Sequence, residues 1–201
     1  MKKALAIILL LSSLLPHPAL AGDVRAIDRI EPYAIHGTSG IALYRSIGEH
    51  GPKAGSGRAI ATTTFKLTWS RNYVNENGGC RLASARPHLI IITRLPKPAD
   101  PLPPLTRNLW ETFIAGIRAH EKVHGDIITD MVRKIEAASV GLSMADDPKC
   151  RKVHVELTKR LSALSQEQRR KSREFDRVEM GQGGNVHQLI LALVNGDRMQ
   201  D

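Results

Sequence analysis

Hydrophobic and polar positions change period about half-way along this chain of 201 residues. From Ile60 to Trp69 (IATTTFKLTW) and from His88 to Thr93 (HLIIIT), β-branched and aromatic residues are bounded by Gly, Pro and Asn, which predicts strands of one sheet. Between them Asn75 to Gly79 (NENGG) predicts a hairpin turn, because Asn-Gly and Gly-Gly adopt the positive φ that tight connections need. Five prolines between Leu95 and Pro104 then form a stiff, non-helical bridge. Beyond it the period is helical. Leu109, Phe113, Ile117, Ile128, Met131 and Ile135 mark a long helix capped by Thr106 and running to about Ala138. A second helix, capped by Asp147 with Pro148 at its first position, carries Leu157, Leu161 and Leu164 toward Phe175. A short apolar segment, Val186 to Val194, closes the chain. The pattern predicts one α+β domain, an antiparallel or mixed sheet packed on two principal helices, with a sheet half over 22–100 and a helical half over 104–201.

The first 21 residues stand outside that domain. Lys2 and Lys3 precede an apolar run from Ala4 to Leu15 and a small-residue ending, Ala19-Leu20-Ala21, which reads as a secretory signal peptide cleaved after Ala21. The run is shorter than the ~20 residues that span a bilayer, and no later segment is apolar for that length. The mature protein is therefore expected in the periplasm or outside the cell, without a transmembrane segment. In such an oxidising compartment Cys80 and Cys150 are expected to form a disulfide.

Charge adds a surface rather than a function. The formal +9 falls to +7 once Lys2 and Lys3 leave with the signal. Residues 149–177 hold ten Lys/Arg against four Asp/Glu, so nearly all of the remainder lies on the second helix. That helix is either a solvated basic face or a surface for an anionic partner. Export and an aromatic content of 4% both count against nucleic acid.

One motif carries strong chemistry: His120-Glu121-Lys122-Val123-His124, an HExxH. Histidines four apart on a helix lie on one face and can converge on one metal ion, for which zinc suits imidazole ligands. Glu121, rotated by about 100° from His120, stands beside the metal, placed to take a proton from water as general base. The expected chemistry is zinc-assisted hydrolysis of a peptide or protein. A third ligand is required. Asp176 and Glu179 are three residues apart near the end of the second helix, and either carboxylate can close the site. Asp130 is less favoured because Ile127 stands where an extended motif needs a helix-breaking glycine, and His187 is a reserve. The competing reading of Asp176 and Glu179 is an exposed acidic turn paired with Arg173 or Arg177.

Several segments resemble the bacterial secreted proteins grouped as domain of unknown function 922, described as zinc-dependent proteases. They are Tyr33-Ala34-Ile35-His36-Gly37-Thr38, Gly51-Pro52, Thr64 to Trp69, Cys80, Leu95-Pro96, Trp110, the HEKVH, Cys150 and Phe175-Asp176, the last being similar to the family's Tyr-Asp pair. The resemblance implies a zincin-like fold, one zinc and a peptidase activity. It also favours Asp176, which alone carries over by position as third ligand. The family pair is followed by Thr-x-His-Gly, whereas Asp176 here is followed by Arg177-Val178-Glu179-Met180-Gly181-Gln182, without the histidine. The alternative function is therefore a non-catalytic, zincin-derived exported binding protein. Within either reading the disulfide is expected to fix the second helix so that its carboxylate reaches the metal.

Overall fold

The computed structural model describes residues 24–196, so the segment expected to be a signal peptide lies outside the described residues. In chain order the elements are β1 (Ala26–Ile35), α1 (Gly40–His50), β2 (Lys53–Ala54), β3 (Gly57–Arg58), β4 (Thr62–Glu76), β5 (Gly79–Pro98), α2 (Pro104–Ser139), β6 (Ser143–Met144), α3 (Arg151–Met180) and α4 (Asn185–Asn195). The fold is α+β, with a mixed sheet as expected. β5 is the central strand, parallel to β1 and antiparallel to β4 and to the short β6, while β2 and β3 form a separate small hairpin. One helix, α1, falls inside the expected sheet half, and one short strand, β6, inside the helical half.

The β4–β5 hairpin turns at Asn77 and Gly78, both at positive φ, as the tight turn requires. Both strands run further than the apolar stretches suggested. β5 continues through Pro96 and Pro98, so the first part of the proline bridge is strand. Its pairing with β4 ends at Arg94, and the last residues pair with β1 alone. Ala99 N donates to Ile35 O there, and Pro96 and Pro98, an odd number of positions away, turn their nitrogens to the unpaired side, where a missing N–H costs nothing.

Helix starts correct two expectations. α2 begins at Pro104 behind Pro103, not at a Thr106 cap. The missing proline N–H is one that a first turn leaves unpaired anyway, and the Thr106 hydroxyl donates to Thr38 O. α3 begins at Arg151, because Cys150 takes a left-handed conformation and Pro148 lies in the preceding turn. Asp147 still serves the helix from outside it, accepting the Val153 N–H at 3.0 Å.

The core divides along α2. Phe113 and Ile117, in its first half, pack with Leu43 and Ile47 of α1 and Leu193 of α4. Ile128, Val132 and Ile135, in its second half, pack on Leu89 and Ile91 of β5, with Leu161 and Leu164 of α3 against them. The apolar stripe is interrupted between Ile117 and Ile128, where His120 and Glu121 are nonetheless buried. The α1–α4 contact depends on Gly40, since a Cβ there would lie 1.8 Å from the Leu193 carbonyl oxygen. Gly40→Ala is expected to force these helices apart at a cost of about 1–3 kcal/mol, read as a shift in the urea unfolding midpoint.

Candidate metal centre

The polar interruption of α2 is the centre of a cleft of about 520 Å³ between β4 and α3. Helical spacing puts His120 and His124 on one face, with ring centroids 4.9 Å apart. α3 crosses this face and brings Asp176 to both. The Asp176 Oδ1 lies 3.2 Å from His120 Nε2 and 2.9 Å from His124 Nε2, and the two Nε2 atoms are 3.2 Å apart. Phe175 stacks on His120 at 4.7 Å and meets His124 edge-on, so the residue before Asp176 fixes the ring planes.

The charges in this cluster favour a positive group. Burial alone would raise the Asp176 carboxyl, but hydrogen bonds from His120 and His124 outweigh it and hold that carboxyl well below the usual carboxylate range. Burial disfavours a charged His124, yet the Asp176 carboxylate prevails and raises the imidazole above its ordinary value. Three donor atoms thus converge where positive charge is favoured. Tetrahedral zinc with ligands at roughly 2.0–2.1 Å separates neighbouring donors by about 3.3 Å, close to the three spacings found here. His120, His124 and Asp176 fit a metal ion in number, donor type and spacing.

Glu121 points to a different partner. Its Oε2 accepts a 2.7 Å hydrogen bond from Thr63 Oγ1 on β4. Burial pushes the Glu121 carboxyl up from its usual range, against the opposing pull of Thr63 and the two histidines. It lines the same cleft as the His-His-Asp cluster without belonging to it. The result is a buried carboxylate with raised basicity beside a candidate cation site, an arrangement suited to proton transfer.

The family model for bacterial proteins of unknown function, DUF922, matches residues 30–184. The chain belongs to the DUF922 family. No curated protein and no solved structure matches it. The matched span contains every residue of the cluster and ends just before α4.

Within this DUF922 protein, His120, His124 and Asp176 come together while the other candidates go elsewhere. Glu179 approaches the opposite nitrogen of His120, with Oε2 3.8 Å from Nδ1, so it cannot share an ion with the two Nε2 atoms. His120 Nδ1 is buried without a hydrogen-bond partner among the described residues, and the Glu179 carboxylate faces it from outside the cluster. Asp130 is engaged by Lys134 and Lys171 on an α2 that runs unbroken past Ile127. The His187 ring accepts the Gly183 N–H at the start of α4. The acidic-turn reading fails as well, because Arg177 pairs with Glu174 while Asp176 faces the histidines. Cys80 and Cys150 are joined, with Cα atoms 5.2 Å apart. Thr63 was not foreseen: a threonine in the run Thr62-Thr63-Thr64 differs in no visible way from its neighbours until β4 is laid beside α2.

Proposed function

We propose that this protein is an exported zinc-dependent hydrolase, most simply a metallopeptidase with a zincin-like arrangement of its site. The observation that carries this reading is the convergence of His120 Nε2, His124 Nε2 and Asp176 Oδ1, with the Glu121 carboxylate beside them in one cleft. In this reading the two histidines and Asp176 hold zinc. Zinc supplies Lewis acidity there, polarising a carbonyl and making water acidic enough to ionise near pH 7. Glu121 takes the proton from attacking water and passes it to the leaving amine. Thr63 holds the Glu121 carboxylate toward the cleft, Phe175 stacks on the His120 ring, and Ile60 and Ala61 give the opposite wall an apolar lining.

Metal analysis of the purified mature protein tests the reading. About one zinc per chain is expected, and His124→Ala should lose it, because a site of three protein ligands cannot spare one. An equal metal content in the two samples would overturn the assignment.

Thr63→Val tests the base. It deletes a hydrogen bond that favours the ionised Glu121 while leaving the buried surroundings that oppose it. The carboxyl should therefore titrate at higher pH. Since a base works only when deprotonated, the acid limb of the kcat/KM profile is expected to move to higher pH.

A further inference from the structure

We infer that the cleft selects a peptide bearing acidic side chains close to the bond presented to His120, His124 and Asp176, an inference that rests on the hydrolase reading above. Arg169 and Arg173 line one wall from α3, and Arg58 lines the cleft from the end of β3. Arg169, Arg173 and Asp176 follow each other at four- and three-residue spacing, so they share one face of the helix. The helical rise puts the Arg173 and Arg169 α-carbons about 4.5 and 10 Å along the axis from Asp176. An extended peptide advances about 3.3 Å per residue, which brings side chains one to three residues from the reacting bond within reach of these guanidiniums.

Three other bases of α3 are engaged, Arg160 with Glu156, Lys171 with Glu167 and Asp130, and Arg177 with Glu174, while Arg151, Lys159 and Arg170 do not line the cleft. Arg169 and Arg173 are exposed, and neither guanidinium has a hydrogen bond or ion pair with any described residue. Arg58 donates to the Gly51 carbonyl, which leaves its charge uncompensated. The acids lining the cleft are Glu121 and Asp176, and both already have partners there. A divalent ion would add to the positive field. Clefts lined by one sign of charge concentrate ligands of the other. The arginines come from two elements that border a groove beside the metal cluster, a geometry that encloses an extended chain rather than resting on a flat bilayer.

The experiment uses the zinc-loaded Glu121→Gln protein as a non-hydrolysing binder and two fluorescein-labelled decapeptides, identical except that four Glu in one are Gln in the other. Fluorescence anisotropy is expected to show the Glu peptide bound about tenfold more tightly at low salt, with the advantage shrinking as NaCl rises. Arg169→Gln/Arg173→Gln should abolish the preference, and Arg169→Lys/Arg173→Lys should keep most of it. Equal binding of the two peptides, or a preference that survives the Gln double variant, overturns the inference. So does binding that depends on these arginines for phosphatidylglycerol vesicles but not for the peptides. If the Glu peptide is preferred and the zinc-loaded parent cleaves neither, the hydrolase reading fails while the selectivity stands. If the parent cleaves both at equal kcat/KM, the selectivity fails and the hydrolase reading stands.

Discussion

Glu121→Gln is expected to keep its zinc and to lose hydrolysis by about 10²–10⁴-fold in kcat, the usual range for removing a general base. The amide has nearly the carboxylate's shape and can still accept the Thr63 hydroxyl bond, so the local structure has little reason to change. It carries no charge and cannot take a proton from water at neutral pH. Zinc content and turnover measured on one preparation give the result, and full activity with zinc bound would remove Glu121 from the mechanism. The comparison is informative because Glu121 does not share the His120–His124–Asp176 convergence. A change that spares the metal and stops the reaction separates the base from the ligands.

Cys80→Ser/Cys150→Ser is expected to lower stability by about 4 kcal/mol in the chain-entropy view, since the bond closes a loop between residues 70 apart. Denaturant unfolding of the oxidised parent against the variant measures it. The effect expected on the site is smaller than it would be if the disulfide carried the carboxylate to the metal. Cys150 adjoins the start of α3, and Asp176 lies about 39 Å further along the helix. Nearer anchors hold that end of α3: Leu161 and Leu164 pack on the α2 cluster, and Lys134 bridges to Glu167 from the facing helix. Zinc affinity in the folded variant should therefore stay close to that of the parent, with the loss falling on global stability. A large drop in affinity without a drop in stability would restore the direct mechanical role.

The two long helices were legible because each presents a sustained apolar face. α1 was not, since Leu43 and Ile47 mark a face too short to separate from a strand or a loop, and its cap, Ser39 accepting from Ala42 N, is a local signal easily matched elsewhere. β1 was missed for a related reason. It is an edge strand that exposes Ile27 and Ile30 and contains Pro32, so its pattern does not alternate with burial as a half-buried strand should. In the site, His120, Glu121 and His124 followed from spacing along one helix. Asp176 stood out from Glu179 only through the family position. The choice between them depends on how α3 is rotated against α2, a tertiary quantity that the sequence of neither helix contains. Thr63 depends in the same way on the placing of β4.

The gap in the apolar stripe of α2 bears on how such a protein can change over time. Packing is anchored on either side of the chemistry, by Phe113 and Ile117 in one cluster and by Ile128, Val132 and Ile135 in the other. His120, Glu121 and His124 belong to neither apolar cluster, so the scaffold's cohesion and the proposed chemistry rest on different residues. In the proposed reading, drift at the three polar positions would silence a descendant without unfolding it. Kinship read from the architecture is therefore no measure of retained catalysis, which has to be inferred from the ligand and base positions themselves.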